Sequence, residues 1–451
     1  MVALARAEAD RVPGALLTDL YELNMASSFL RHHMTGQATF SLFVRRLPPE
    51  RGFLVAAGVE DCLDWLEQFS FEPADLDYLG SLGYDAPTLE AFGELGFTGD
   101  VFAVPEGRIV FANEPILEVS APIAEAQLVE TYLLNRVSLQ TTLATKAARC
   151  VAAAAGRIEL VEFGFRRTHG TETGCDVARL SNLVGFSGTS NVEAARRYGL
   201  EAKGTMAHSY VEAFANEADA FLAFAGDLPG GTTFLVDTYD TLDGVRHAIE
   251  VICKLGIGES SGIRLDSGDL ARLAVASRRL LDEAGLEDVR IFVSGGLDEH
   301  DLEAFVAEGV PVDAAGVGTR LGVSADAPFL DTAYKLVEYD GRPVAKLSTG
   351  KATLPGPKQV MRAPGLEDTI ARRQEEVPAG TSALLEPLML GGRRVASRPP
   401  LEVGRALFAG DLAELPRSAA RLVDPLAPVA RVSRTLAELA KAVREEHRPR
   451  S

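Results

Sequence analysis

A chain of 451 residues is longer than one hydrophobic core usually serves, so two or three domains are expected. Its 47% hydrophobic and 24% charged residues are ordinary for a globular protein in water. The net charge of −19 argues against nucleic acid or an anionic membrane as the main partner, but leaves small anionic substrates open if basic groups gather locally.

Cys62, Cys150, Cys175 and Cys253 include no CxxC pair, which indicates neither a zinc knuckle nor a disulfide framework and fits a reducing cytoplasm. Residues 1–11 mix Arg, Glu and Asp without an apolar core, so neither a signal nor a transit peptide is expected. No run of about 18 apolar residues predicts a membrane span.

In chain order, residues 16–26 read as a helix with Thr18 or Asp19 at its cap and Tyr21 and Asn24 on one face. Residues 37–47 and 52–59 read as strands, and residues 61–69 as a helix with Trp65 in the core. Residues 101–111 read as a hairpin turning at Pro105-Glu106-Gly107, and residues 115–119 as a further strand. Residues 123–155 read as one long helix bridging the N-terminal strands to the middle of the chain.

A period then sets in. Short apolar runs at 159–163, 182–186, 202–206, 233–237, 262–266, 290–294 and 312–317 end in polar or Gly-rich corners, and most precede an amphipathic helical stretch. About seven such strand-helix units predict an irregular β/α barrel, short of the usual eight. No dinucleotide glycine fingerprint or P-loop favours an open doubly wound sheet instead.

In such a barrel the chemistry sits at the carboxyl ends of the strands. Those ends carry Glu162, Phe163 and Arg166-Arg167, then Gly188-Thr189-Ser190-Asn191, and then Gly204-Thr205 with His208. Asp237 follows, with Arg264, Asp266, Ser267 and Asp269, and finally Ser294-Gly295-Gly296 and Gly316-Val317-Gly318-Thr319-Arg320. Guanidinium groups, hydroxyls and Gly-rich corners at helix starts suit phosphate oxygens, and Asp237, Asp266 and Asp269 suit a hard cation such as Mg²⁺. Each has a plain alternative: GVGTR as a tight turn, Arg166-Arg167 as a solvated pair, and Asp240, Asp269 or Asp298 as helix caps. His208, at a strand-to-helix corner, is either a nucleophile or base, or a hydrogen-bonded structural residue. The recurrence of such groups at nearly every strand end favours a site.

Beyond the barrel, residues 334–339 and 342–347 flank Asp340-Gly341, a strong hairpin signal. Lys335, Lys346 and Lys351 lie near it and are most simply exposed hairpin lysines. Residues 354–365 read as a loop and 384–395 as a hairpin about Gly391-Gly392, with these strands returning to the N-terminal sheet. Residues 433–448 read as a final surface helix capped by Ser433. The expected fold is thus an irregular β/α barrel over 151–333, with a β-rich α+β domain formed by segments 1–150 and 334–451.

Taken together, Thr18-Asp19-Leu20-Tyr21-Glu22-Leu23-Asn24-Met25, Glu162-Phe163-Gly164-Phe165-Arg166-Arg167, Gly188-Thr189-Ser190-Asn191, Gly204-Thr205-Met206-Ala207-His208-Ser209, Ile263-Arg264-Leu265-Asp266-Ser267-Gly268-Asp269 and Gly316-Val317-Gly318-Thr319 resemble the nicotinate phosphoribosyltransferases. The resemblance implies a cytoplasmic homodimer that makes nicotinate mononucleotide and diphosphate from nicotinate and 5-phosphoribosyl 1-diphosphate, with Mg²⁺ and with ATP as co-substrate. It implies that His208 is phosphorylated by ATP. Phe163 would stack on the pyridine ring, Tyr21 would close over it from a partner subunit, and Thr205 and Arg264 would face the carboxylate. Arg166, Gly295, Gly296, Gly318 and Thr319 would hold phosphate, while Asp266 and Asp237 would orient the ribose or the Mg²⁺-diphosphate. Ser190 stands where the nicotinamide-using relatives carry an Asp, which favours the acid over the amide as substrate. Quinolinate phosphoribosyltransferases share the fold class but lack the His208 motif. A non-catalytic binding protein would be marked by loss of His208, Arg264 or Asp266, and all are present.

Overall fold

The computed structural model describes residues 14–228, 231–348 and 351–447. The chain forms two compact units, one from the segments up to Thr142 and from Phe329 on, the other from Leu143–Pro328.

The first unit opens with the helix Leu20–Arg31. Asp19 stands at its cap with extended dihedrals but makes no side-chain bond to it; its carboxylate accepts instead from the Thr131 hydroxyl at 3.0 Å. The helix buries Glu22, Leu23, Ala26 and Ser27 and leaves Leu20 and Tyr21 exposed. Strand β1 (Gln37–Val44) is buried along nearly its whole length, and β2 (Leu54–Val55) leads into the helix Val59–Leu66. Trp65 on that helix is a core residue, stacked on Tyr132 with ring centroids 4.1 Å apart.

The expected hairpin over 101–111 does not form. β3 (Asp100–Ala103) pairs with β5 (Pro115–Pro122), whereas β4 (Ile109–Val110) pairs with β2 in a separate two-stranded sheet. Gly107 explains the divergence: it adopts φ 94°, and a Cβ there would lie 2.2 Å from the Gly404 carbonyl oxygen. The chain therefore turns against the helix Leu401–Glu414 instead of back along β3. The expected single helix over 123–155 is two, Ile123–Leu128 and Glu130–Ala154, interrupted at Val129, which ends the first with φ −89° and ψ −6°.

In the second unit, β6 (Glu159–Glu162), β7 (Gly188–Thr189), β8 (Thr233–Leu235), β9 (Gly262–Leu265), β10 (Arg290–Val293) and β11 (Ala314–Val317) form one parallel sheet in the order β7-β6-β11-β10-β9-β8. Because the first strand β6 lies beside the last, β11, the order is that of a ring, open between β7 and β8. This is a parallel half-barrel, with six strands among the described residues where about seven units were expected. Residues 182–186 close the helix Thr171–Leu183 and turn out of it, and the strand falls later, at Gly188. Residues 202–206 contribute only a parallel bridge from Ala202 to Thr189.

The chain then returns to the first unit. β12 (Thr332–Tyr339) and β13 (Arg342–Pro343) form the hairpin expected about Asp340-Gly341, whose φ values of 50° and 73° suit a type I′ turn. The expected loop over 354–365 contains β14 (Lys358–Ala363), because Pro355, Gly356 and Pro357 punctuate only the approach to it. β14 pairs with β15 (Glu367–Arg372) and β16 (Ser382–Ala383), and β19 (Arg431–Val432) runs parallel to β15. β17 (Glu386–Leu390) and β18 (Arg393–Arg394) form the hairpin about Gly391-Gly392. Together β13-β12-β1-β5-β3-β17-β18 make an antiparallel sheet, so the C-terminal strands do return to the N-terminal ones. Ser433 caps the last helix, Arg434–Glu446, accepting from Leu436 N at 3.2 Å. Among the described residues no helix is long and apolar enough to cross a membrane.

Candidate active site

The carboxyl ends of β6 and β7, residues 204–207 and Arg264 of β9 border a cavity of about 360 Å³ lined by Phe163, Phe165, Arg166, Ser190, Thr205 and Arg264. Phe163 follows β6, and its N–H donates to the Val317 carbonyl at 2.8 Å. Its ring lies over Gly316, where a Cβ would come within 2.7 Å of it; glycine in β11 makes the room. The ring is flanked by Phe292, with centroids 5.5 Å apart, and by the Arg264 guanidinium, 5.5 Å from the ring centroid.

Arg264 projects from β9 and its guanidinium is held on several sides. Nε donates to Ser294 Oγ at 2.7 Å, Nη1 to Thr205 Oγ1 at 2.9 Å, and Nη2 to Asp266 Oδ1 at 2.6 Å. Ser294 in turn donates to the same Asp266 oxygen. Burial pushes the Asp266 carboxyl up, but the Ser294 hydrogen bond and the Arg264 charge outweigh it and hold it below the usual carboxylate range. Asp266 is therefore ionised and fixes the fork of Arg264 in one orientation.

His208 opens the helix His208–Glu212, after Ala207 in an extended conformation. Its Nδ1 lies 3.2 Å from Thr238 Oγ1, and its Nε2 is 3.9 Å from both Asp237 Oδ1 and Asp266 Oδ2. The imidazole is 40% exposed, while the Asp237 side chain is fully buried. Asp237 Oδ2 accepts from the Asp266 backbone N–H at 3.1 Å and from Ser267 Oγ at 2.5 Å; its Oδ1 has no hydrogen-bond partner among the described residues. A buried carboxylate oxygen left open beside an accessible imidazole can accept a proton or take a place around a cation.

The glycine corners are tight. Gly295 has φ 104°, and a Cβ there would lie 2.0 Å from the Asp266 carbonyl oxygen; Gly296 has φ 74°. A Cβ on Gly318 would lie 2.8 Å from the Phe163 carbonyl oxygen, and Thr319 begins the short helix Thr319–Gly322.

Most of the residues expected at the site thus gather on one unit. Tyr21 does not; it lies on the helix Leu20–Arg31 of the other unit, about half exposed. Asp269 caps the helix Leu270–Glu283, its Oδ1 accepting from Arg272 N at 3.1 Å. Asp240 and Asp298 also cap helices. Among the described residues no group of three or more His, Cys, Asp and Glu is arranged to hold a metal ion. Sequence reasoning passed over Thr238; its position just after a strand-end aspartate was the only available signal.

An open ring of parallel strands with an aromatic face, an anchored guanidinium and an imidazole facing two aspartates defines an α/β protein of the parallel half-barrel class, with its chemistry-bearing groups gathered at the strand ends. Residues 16–138 match the nicotinate phosphoribosyltransferase N-terminal domain model, and residues 158–353 match the nicotinate phosphoribosyltransferase family model. The chain belongs to the nicotinate phosphoribosyltransferase family. It is 49% identical to nicotinate phosphoribosyltransferase pncB2 of Mycobacterium tuberculosis, over 95% of this chain and 94% of that one. It is 45% identical to the nicotinate phosphoribosyltransferase of Bacillus subtilis, over 77% of this chain and 73% of that one. The crystal structure of human nicotinic acid phosphoribosyltransferase is similar throughout, with a TM-score of 0.83 at 29% identity, covering 94% of this chain and 99% of that one.

Proposed function

We propose that this nicotinate phosphoribosyltransferase couples the formation of nicotinate mononucleotide and diphosphate to ATP hydrolysis through a phosphohistidine at His208. The observation that carries the proposal is the junction at Asp266: one carboxylate grips the Arg264 fork of the cavity and also faces His208 Nε2. An event at His208 is thereby felt where the substrates sit.

Nicotinate fits the cavity with its ring against Phe163 and its carboxylate toward Arg264 and Thr205, since a planar guanidinium can pair with both carboxylate oxygens. Ser190, on the cavity wall, brings no negative charge to oppose that carboxylate. Transfer requires the ribose–diphosphate bond to break as the pyridine nitrogen attacks, a reaction helped chiefly by positioning and by stabilisation of the leaving charge. Arg166 and the corners at Gly295-Gly296 and Gly318-Thr319 are the groups assigned to the phosphates. Asp237 and Asp266 would hold Mg²⁺, and the open Oδ1 of Asp237 is the feature that fits a cation. When bound, the ion supplies positive charge to the departing diphosphate. Phosphorylation of His208 adds negative charge beside both aspartates, which gives ATP a means to change their grip on the second substrate. We further assign the enzyme to the cytoplasm and to a homodimer in which Tyr21 serves the partner's site.

The test is nicotinate mononucleotide formation with and without ATP. In His208→Ala the transfer should persist at high substrate but lose its ATP stimulation, and no phosphate from γ-labelled ATP should remain on the protein. Undiminished stimulation in the variant would sink the coupling role.

A further inference from the structure

Glu162 ends β6 fully buried, and none of the roles above uses it. We infer that Glu162 and Thr189 are positioning residues that hold the two corners of the nicotinate pocket in register; this rests on the reading of the 360 Å³ cavity as the site of the base.

Glu162 Oε1 accepts from the Gly164 backbone N–H, and Oε2 accepts from the Thr189 hydroxyl at 2.5 Å. Thr189 Oγ1 then accepts from the Asn191 backbone N–H at 2.9 Å, and the Ser190 N–H donates to the Glu162 carbonyl at 2.9 Å. One carboxylate therefore ties the corner that presents Phe163, Phe165 and Arg166 to the corner that presents Ser190. The fit is close: a Cβ on Gly164 would lie 2.9 Å from Glu162 Oε1 and 3.1 Å from the Gly318 carbonyl oxygen.

The β6–β7 ladder already pairs Val161 with Gly188 and Glu162 with Thr189 through the backbone. The Glu162–Thr189 side-chain bond reinforces that last ladder pair, while the bonds from the Gly164 and Asn191 N–H groups reach beyond its end, where the chain turns into the pocket. Burying a carboxylate is costly unless its acceptors are used, and here they are used on corner groups. Burial dominates and leaves the Glu162 carboxyl above the usual carboxylate range, although the Thr189 hydroxyl and the N–H groups of Gly164 and Phe165 lower it in part.

In Glu162→Gln the amide nitrogen would face a Thr189 oxygen that already accepts from Asn191, leaving the hydroxyl proton without an acceptor. The Ser190 corner must then shift against Phe163. The expected result is a rise of about tenfold in KM for nicotinate, with kcat and KM for 5-phosphoribosyl 1-diphosphate little changed. Thr189→Val should reproduce it and Thr189→Ser should restore the wild-type value, because serine keeps the hydroxyl. Phe163→Ala serves as the control for the pocket itself. If Phe163→Ala raises KM for nicotinate while Glu162→Gln and Thr189→Val leave it unchanged, the positioning role is overturned and the pocket reading stands. If none of the three moves it, the pocket reading falls and this inference with it. A uniform loss of kcat and of both substrate affinities, in step with a lowered melting temperature in both variants, would also overturn it, since the pair would then act through stability alone.

Discussion

At the scale of single residues, the site depends on how close two backbones come. Gly295 packs its Cα against the Asp266 carbonyl, at a φ of 104° that non-glycine residues rarely adopt. In Gly295→Ala the corner must move away from Asp266, the residue that anchors Arg264 and faces His208. We expect a fall of about tenfold or more in kcat/KM for 5-phosphoribosyl 1-diphosphate, read from initial rates at saturating nicotinate. A variant with wild-type rates would remove this corner from the site. Much at this scale was legible in the sequence, because His208, Arg264 and Asp266 are residue types whose chemistry is narrow. Thr238 was not, since a threonine after a strand has many uses and only the folded chain brings it to His208 Nδ1.

At the scale of elements, the start of the parallel ring is held by one acid. Glu159, opening β6, accepts from Lys203 Nζ at 2.5 Å, Ser187 Oγ at 2.7 Å and Arg290 Nη2 at 2.7 Å, linking it to the segment before β7, to the chain past Ala202 and to β10. Burial raises its carboxyl, but these donors dominate and bring it down to about 2. Its folded value is thus depressed below the ordinary one of about 4.3, so its contribution is present above that value and is lost as pH falls toward 2. The group is partly exposed, and solvent screening holds the effect to about 1 kcal/mol or less. Urea midpoints measured from pH 7 to pH 2.5 should therefore fall further for the wild-type protein than for Glu159→Gln; parallel curves would refute the assignment. The misread elements share a cause. At 182–186 the apolar end of a helix resembles a short strand, and at 101–111 a sound turn signal says nothing about which strand each arm will meet.

At the scale of the whole chain, the first unit is closed by a charge cluster spanning remote positions. Glu118 on β5 is fully buried; it pairs with Lys358 Nζ at 3.0 Å and Arg373 Nη2 at 2.5 Å, and it also accepts from the Ser41 hydroxyl. Burial raises its carboxyl, yet the Lys358 and Arg373 charges prevail and lower it, so the group stays ionised. In Glu118→Gln the buried Lys358 ammonium loses its counter-ion, and a cost of about 3–5 kcal/mol is expected in urea denaturation, in the transition that reports the first unit. A loss under about 1 kcal/mol would mean that the returning segment is held by its strands alone.

The sequence by itself determined the chemistry and its order along the chain: an acid and an aromatic ring at the end of β6, hydroxyls after β7, an imidazole at a helix start, an acid after β8 and a guanidinium on β9. Side-chain type and local period carry that information, and it survives without knowledge of any partner. Tertiary structure alone decided which strands pair. It laid β6 beside β11, left the ring open beyond β7, sent β3 and β4 to different sheets, and made a strand of residues 358–363. Pairings of this kind draw their energy from contacts between segments far apart in the chain, which no local window contains. The same holds for the open oxygen of Asp237 and for the Glu162–Thr189 tie, since a polar atom's partners, or its lack of them, exist only once the backbone has closed around it.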